Sequence, residues 1–234
     1  MRVLRRILSA ALACLACATL LAHADDAAPP QKEYLPKAGT GRVVVVISGQ
    51  TGASNYTSIS QDFADAGYYT VLLDGNDLWI KGGGGNALLQ GAIARAQASP
   101  HALPGKVGVV GFSLGGAAAL TYATRLPDRV ATVVVMYPLT NFIQHPDDFV
   151  GKFQVPVLML AGTADTYKNC CTIETARALA EAAKRNPDVA PLFTLHEYEG
   201  ADHGFNMNTS HQRALVADSR DRAIAQLRQT LLDR

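Results

Sequence analysis

Lys106-Val107-Gly108-Val109-Val110-Gly111-Phe112-Ser113-Leu114-Gly115-Gly116-Ala117-Ala118-Ala119-Leu120 is the stretch on which the reading of this chain turns. An apolar run enters a Gly-x-Ser-x-Gly turn, and a helix-forming run leaves it. Strand, tight turn and helix are the setting in which this pattern presents a serine as a nucleophile. The turn holds the serine in a strained backbone conformation with its hydroxyl pointing out of the sheet. Strand and helix then approach closely, so the flanking positions need residues without side chains.

Two later stretches supply what a serine hydroxyl lacks. It is a poor nucleophile until a base takes its proton, and the base needs a carboxylate to fix its tautomer. Val155–Ala161 reads as a buried strand and runs into Gly162-Thr163-Ala164-Asp165. Leu192–Tyr198 reads as another and runs into Gly200-Ala201-Asp202-His203-Gly204-Phe205. The order Ser113, Asp165, His203, each just past a strand, is that of the α/β-hydrolases. Among the six histidines, His23 lies in the leader, and His101, His145 and His211 stand in polar, Pro-rich or helix-start contexts. His196 falls inside a strand pattern, which leaves His203 in its Gly-flanked loop as the base. Asp202 adjoins that base but points elsewhere in a tight loop, so Asp165 is the expected acid.

An oxyanion hole needs two N–H donors. One is expected at Leu114, the residue after the nucleophile, where the helix dipole assists. The other is expected from the main chain of Gln50, in Ser48-Gly49-Gln50-Thr51-Gly52 after the strand Arg42–Ile47, with Thr51 as the alternative donor.

Strands are expected near 42–48, 69–74, 106–111, 130–137, 155–161 and 192–198, and helices near 55–66, 86–98, 114–125, 173–185 and 211–232. Runs such as Val130–Val135 and Tyr69–Leu73 are continuous and apolar, as strands covered on both faces are. Alternating strands and helices predict an α/β class protein, with a mostly parallel sheet of about six to seven strands between helical layers. Leu215, Ile224, Leu227 and Leu231 recur at helical spacing, a packing stripe. The expected division is a leader over 1–24, an N-terminal linker over 25–41 and a catalytic domain over 42–234. The linker leaves little room for extra strands, and the connection from Tyr137 to Phe153 is too short for a large cap.

The 234 residues are 48% apolar and 18% charged, enough to bury a substantial core. Residues 1–24 carry Arg2, Arg5 and Arg6, an apolar Ile7–Leu21 and a small-x-small Ala22-His23-Ala24, which is the pattern of a cleavable signal peptide. Its removal takes three arginines from a net charge of +1 and leaves −2. Without a basic patch, no nucleic-acid partner is expected, nor stable membrane insertion after cleavage. The expected location is periplasmic or secreted, and the oligomeric state is left open.

Cleavage leaves Cys170 and Cys171, adjacent in sequence and shortly after Asp165. Their Cα atoms, about 3.8 Å apart, lie below the usual disulfide range of roughly 4.4–6.8 Å. A vicinal bridge would stiffen the loop that carries the acid; two free thiols are the other reading. No metal is expected, since no second Cys or His pair has ligand spacing. Asp74–Lys81 follows the second core strand, and Gly82–Gly85 lack the Gly-Lys-Ser/Thr of a phosphate loop. No cofactor is expected. Trp79 in that segment, and Tyr137 after the fourth strand, are the candidate substrate contacts.

From Arg42 to the C-terminus the chain resembles the dienelactone hydrolase family. The resemblance rests on Gly111-Phe112-Ser113-Leu114-Gly115-Gly116, Gly162-Thr163-Ala164-Asp165 and Tyr198-Glu199-Gly200-Ala201-Asp202-His203-Gly204-Phe205. It implies a nucleophile, acid and base at Ser113, Asp165 and His203. The founding enzymes of the family have a cysteine where Ser113 stands and a glutamate near Ser48-Gly49-Gln50. They also have a substrate-binding arginine after His-x-Phe, where Asn206 and Met207 stand here. These departures point to a general serine esterase for small esters or lactones rather than to dienelactone itself. An amidase or peptidase would use the same three residues. A non-catalytic binding protein is the third class, and retention of all three residues argues against it.

Overall fold

Along strand β2 (Gly41–Ile47), Val43, Val45 and Ile47 face one side and Val44 and Val46 the other, and all five are buried. Burial on both faces is what a continuous β-branched run requires, and it makes β2 a central strand. The computed structural model describes residues 29–79, 84–207 and 213–231. The remaining strands are β1 (Gln31–Tyr34), β3 (Tyr69–Leu73), β4 (Ala102–Phe112), β5 (Val130–Met136), β6 (Val157–Gly162) and β7 (Phe193–Tyr198). They form one sheet in the order β1-β3-β2-β4-β5-β6-β7. Every neighbouring pair is parallel except β1 with β3.

Helices α1 (Thr57–Asp65), α2 (Gly75–Leu78), α3 (Gly85–Gln97), α4 (Leu114–Tyr122), α5 (Pro146–Val150), α6 (Ile173–Arg185) and α7 (Arg213–Leu231) connect or follow the strands. One core joins Val43, Val45 and Ile47 to Leu89 and Ile93 of α3, Leu120 of α4 and Leu179 of α6. The other joins Val44 and Val46 to Phe63 of α1 and Leu227 and Leu231 of α7. Leu215 and Ile224 pack against this second core while partly exposed, so the C-terminal stripe is structural as read. None of the helices among the described residues is long and apolar enough to cross a membrane.

The expected linker, 25–41, needs correction. Gln31–Tyr34 adds an antiparallel edge strand, with Gln31 opposite Leu73 and Tyr34 opposite Thr70. Of its four residues only Tyr34 is buried, so no apolar run marks it as a strand. β4 also starts earlier than expected, at an exposed Ala102–Lys106 extension that pairs with β2 before a register shift. The short helices α2 and α5 are additions, the first capped by Asp74 and the second opened by Pro146. Residues 1–28, which include the expected leader, and residues 80–83 of the glycine-rich segment lie outside the described residues.

Topology places the site. From β2 the chain goes to β3 on one side, whereas β4 lies on the other side and leads on to β5. The crevice at such a switch point, beyond the carboxyl ends of parallel strands, is where open α/β sheets bind ligands. Here it lies between the loop after β2 and the turn after β4.

Candidate active site

Ser113 follows β4 with φ 49° and ψ −111°, a left-handed conformation that a side chain other than glycine's rarely adopts. Such a backbone costs about 1–3 kcal/mol and persists only where its surroundings hold it. Its N–H donates to the Met136 carbonyl (3.1 Å), and its carbonyl accepts from the N–H groups of Leu139 (2.8 Å) and Ala117 (3.1 Å). Two strands and α4 are thus drawn together at this residue. At Gly115 a Cβ would fall 2.3 Å from the Ile47 carbonyl oxygen and 2.4 Å from that of Ser48. Only glycine lets α4 start so close to the end of β2.

Asp165 follows β6 and His203 follows β7. His203 Nδ1 lies 2.8 Å from Asp165 Oδ2, and Nε2 lies 3.1 Å from Ser113 Oγ. A carboxylate accepts only, so Nδ1 carries the proton and Nε2 is left to accept from the serine hydroxyl. The Asp165 side chain is fully buried and its second oxygen accepts the Tyr167 N–H at 3.1 Å. The Tyr167 ring stacks on the imidazole at 4.4 Å and 11°, and the Tyr137 ring meets it edge-on at 4.8 Å. Two aromatic walls therefore fix the plane of His203.

The loop after β2 forms the other wall. A Cβ on Gly49 would sit 3.2 Å from Ser113 Cβ and 2.4 Å from the Tyr56 hydroxyl, so backbone occupies the space beside the serine. Asn76 Nδ2 donates to the Gln50 carbonyl (3.2 Å) and to Asp74 Oδ1 (2.8 Å). Asp74 in turn accepts from the N–H groups of Asn76 (2.9 Å) and Ala53 (3.1 Å). Burial works against the Asp74 carboxylate, but these donors outweigh it and hold its pKa below the usual value. Leu114 opens α4 beside Ser113, where unsatisfied N–H groups collect.

Cys170 and Cys171 are joined in a vicinal disulfide and are both buried. The loop from Asp165 carries two left-handed residues, Lys168 (φ 47°) and Asn169 (φ 52°). It is tied down where the Cys170 carbonyl accepts from the N–H groups of Thr140 (2.8 Å) and Asn141 (3.0 Å). This fold of the loop brings both sulfurs beside His203: the two Sγ atoms and an imidazole nitrogen lie within 4.8 Å of one another. Linear spacing hid that proximity, because the loops come from different strands.

Gln50, Thr51, Tyr56, Ser113, Tyr137, Tyr167, His203 and Met207 line a cavity of about 170 Å³. None of these is a lysine or arginine. Burial pushes the Tyr56 hydroxyl above the usual tyrosine range and that of the fully buried Tyr137 well above it, so both stay protonated at neutral pH. Tyr137 donates to Asn206, which is buried behind it. Ser113, His203, Gln50 and Tyr137 thus meet at one cavity, with Asp165 behind His203. Trp79 does not join them: it packs on Phe142 (4.9 Å) and Tyr122 (6.3 Å) at the edge of the core. The turn of α2 carries it there, and its place in the expected contact set passes to Tyr56 and Tyr167. Neither tyrosine stands out in the sequence, although Tyr167 follows Asp165 by two positions.

A mostly parallel sheet with a serine on a strained strand-to-helix turn, followed in chain order by an acid and a histidine, defines an α/β-hydrolase. The family model described as dienelactone hydrolase family matches residues 75–231, and the chain belongs to that family, as a carboxylic ester hydrolase. A putative dienelactone hydrolase from Klebsiella pneumoniae is similar, with a TM-score of 0.67, 20% identity and coverage of 83% of this chain and 90% of that one. Esterase 2 of Thermogutta terrifontis, phosphoramylated by tabun, gives a TM-score of 0.67, 20% identity and coverage of 85% and 88%. Est1E from Butyrivibrio proteoclasticus gives 0.63, 15% identity and coverage of 84% and 93%. At these identities the likeness is one of fold. No curated protein matches the chain.

Proposed function

We propose that this chain is an exported serine esterase that cleaves small, uncharged esters or lactones through an acyl-enzyme. The observation that carries the reading is the unbroken chain from Asp165 through His203 to Ser113, set on a strained turn at the mouth of a small cavity. His203 Nε2 takes the hydroxyl proton as Ser113 Oγ attacks the ester carbonyl carbon. The N–H groups of Leu114 and Gln50 hold the oxygen that becomes negative. The imidazolium then gives its proton to the departing alcohol, leaving the acyl group on Ser113. A water, deprotonated by the same imidazole, releases the acid.

Cavity size and lining support the substrate class. About 170 Å³ is below the roughly 300–1,000 Å³ of sites for drug-sized ligands. Walls of Tyr56, Tyr137, Tyr167 and Met207 suit a short apolar acyl group, and none of the described residues that line the cavity is a cation. The test is kcat/KM on p-nitrophenyl acetate, butyrate and decanoate, beside a p-nitroanilide of the preferred acid. The short esters should exceed the decanoate by about tenfold or more, since each misfitting methylene costs about 1–3 kcal/mol. Anilide cleavage as fast as ester cleavage would overturn the esterase reading. Export is supported by the leader's composition, and protein recovered from the periplasm should begin at Asp25; an intact Met1 there would contradict it.

A further inference from the structure

We propose that Cys170, Cys171 and His203 form a binding site for a thiophilic divalent cation such as Zn²⁺ or Cd²⁺, available once the disulfide is reduced, and that filling it shuts off hydrolysis. The inhibitory effect rests on the esterase reading; the site itself does not.

Geometry carries the proposal. The three donor atoms already lie within 4.8 Å of one another, drawn from two loops that the sheet brings together. Around a tetrahedral ion with Zn–S of about 2.3 Å and Zn–N of about 2.0–2.1 Å, donors sit about 3.5–3.8 Å apart. Side-chain rotation on the scale of an ångström therefore converts the cluster into a ligand set. Two thiolates and an imidazole are the donors that soft and borderline cations select. The backbone of Cys170 is fixed by Thr140 and Asn141, and the imidazole is fixed by Tyr167 and Tyr137, so little ordering remains when the ion binds. His203 is partly exposed and lines the cavity, which gives an ion access to the imidazole side of the cluster.

The chemistry balances. Reduction breaks the S–S bond, adding two electrons and two protons to give two thiols. A dithiol reductant supplies them and closes its own disulfide; a phosphine does the same and takes oxygen from water to become its oxide. The cation then displaces the two thiol protons and takes the lone pair of one imidazole nitrogen, Nε2 directly, or Nδ1 once its proton has moved to Nε2. Both ring nitrogens are engaged, one by Asp165 and one by Ser113. Whichever nitrogen ligates, the Asp165–His203–Ser113 chain is broken and the base is lost.

The test titrates Cd²⁺ into the whole protein, reduced with a phosphine that is then removed under argon, following the ultraviolet cadmium–thiolate band and ester hydrolysis together. The proposal expects one equivalent of Cd²⁺ to saturate the band, hydrolysis to fall at least tenfold along the same curve, and EDTA to restore it. His203→Ala should keep a band but bind at least about tenfold more weakly, since even outer-shell partners contribute about 10–100-fold. Non-reduced protein, and the doubly substituted Cys170→Ser, Cys171→Ser protein, should show no band and no loss of hydrolysis. Failure of reduced protein to bind a stoichiometric equivalent would overturn the site, as would equal inhibition of the non-reduced form. A saturating band with unchanged hydrolysis in an active enzyme would overturn the inhibition alone. Binding by a protein that hydrolyses nothing under any condition would indict the esterase reading instead.

Discussion

Asp165 shows how much one carboxylate does at this site. One oxygen holds the Nδ1–H of His203 and the other holds the N–H of Tyr167, whose ring lies flat on the same imidazole. Asp165→Asn offers the imidazole an amide group that can donate to Nδ1 and turn the tautomer over. The fold should survive, and kcat should drop by about 10⁴-fold. Parallel kinetics and thermal melts check this, and a kcat within tenfold of wild type would exclude Asp165 as the acid. At this scale the meeting of Ser113, Asp165 and His203 was legible, because each follows the end of an expected strand of one sheet. Tyr167 was not, since its ring meets His203 only because the loop after β6, where Asp165 holds its N–H, folds back against the loop after β7. Trp79 was misplaced for a related reason: one turn of α2 decides whether the ring meets the cavity or the core.

Between elements, the loops after β2 and β3 behave as one unit. Asn76 spans them, donating to the Gln50 carbonyl and to the Asp74 carboxylate, which also caps α2 and accepts from Ala53. Gln50 and Ser113 line the same cavity, so under the proposed mechanism Asn76 is a positioning residue for the loop that carries one oxyanion donor. Asn76→Ala should lower kcat by about tenfold, less than the 10²–10³-fold that loss of a whole oxyanion donor costs. KM should stay within a factor of two or so, because the apolar walls of Tyr56, Tyr137, Tyr167 and Met207 keep their places and only the Gln50 main chain loosens. Steady-state kinetics separate this from a merely structural role, which would lower the melting temperature and leave kcat unchanged. The pairing of the two loops could not be read from the sequence, where Gln50 and Asn76 are far apart. The edge strand β1 escaped for a different reason. With Lys32 and Glu33 exposed it has the charged, solvated character that protects a sheet edge, which reads as a linker.

For the molecule as a whole, loops after β2, β4, β6 and β7 converge on Ser113, and the proposed function requires that serine to be reactive. The mostly parallel sheet between helical layers was legible from apolar runs alternating with helical ones, whereas the strand order and the switch point it creates were not. The vicinal disulfide was one of two readings that the adjacent cysteines allow, but its place beside His203 and the size of the cavity depend on how loops pack and were not legible. The most direct test is labelling of the purified protein with a fluorophosphonate, which reacts only with an activated serine, followed by peptide mass spectrometry. A single adduct should form on Ser113 and should disappear in Ser113→Ala and in His203→Ala. A folded protein that takes up no label, or takes it up on another residue, would contradict the proposed function.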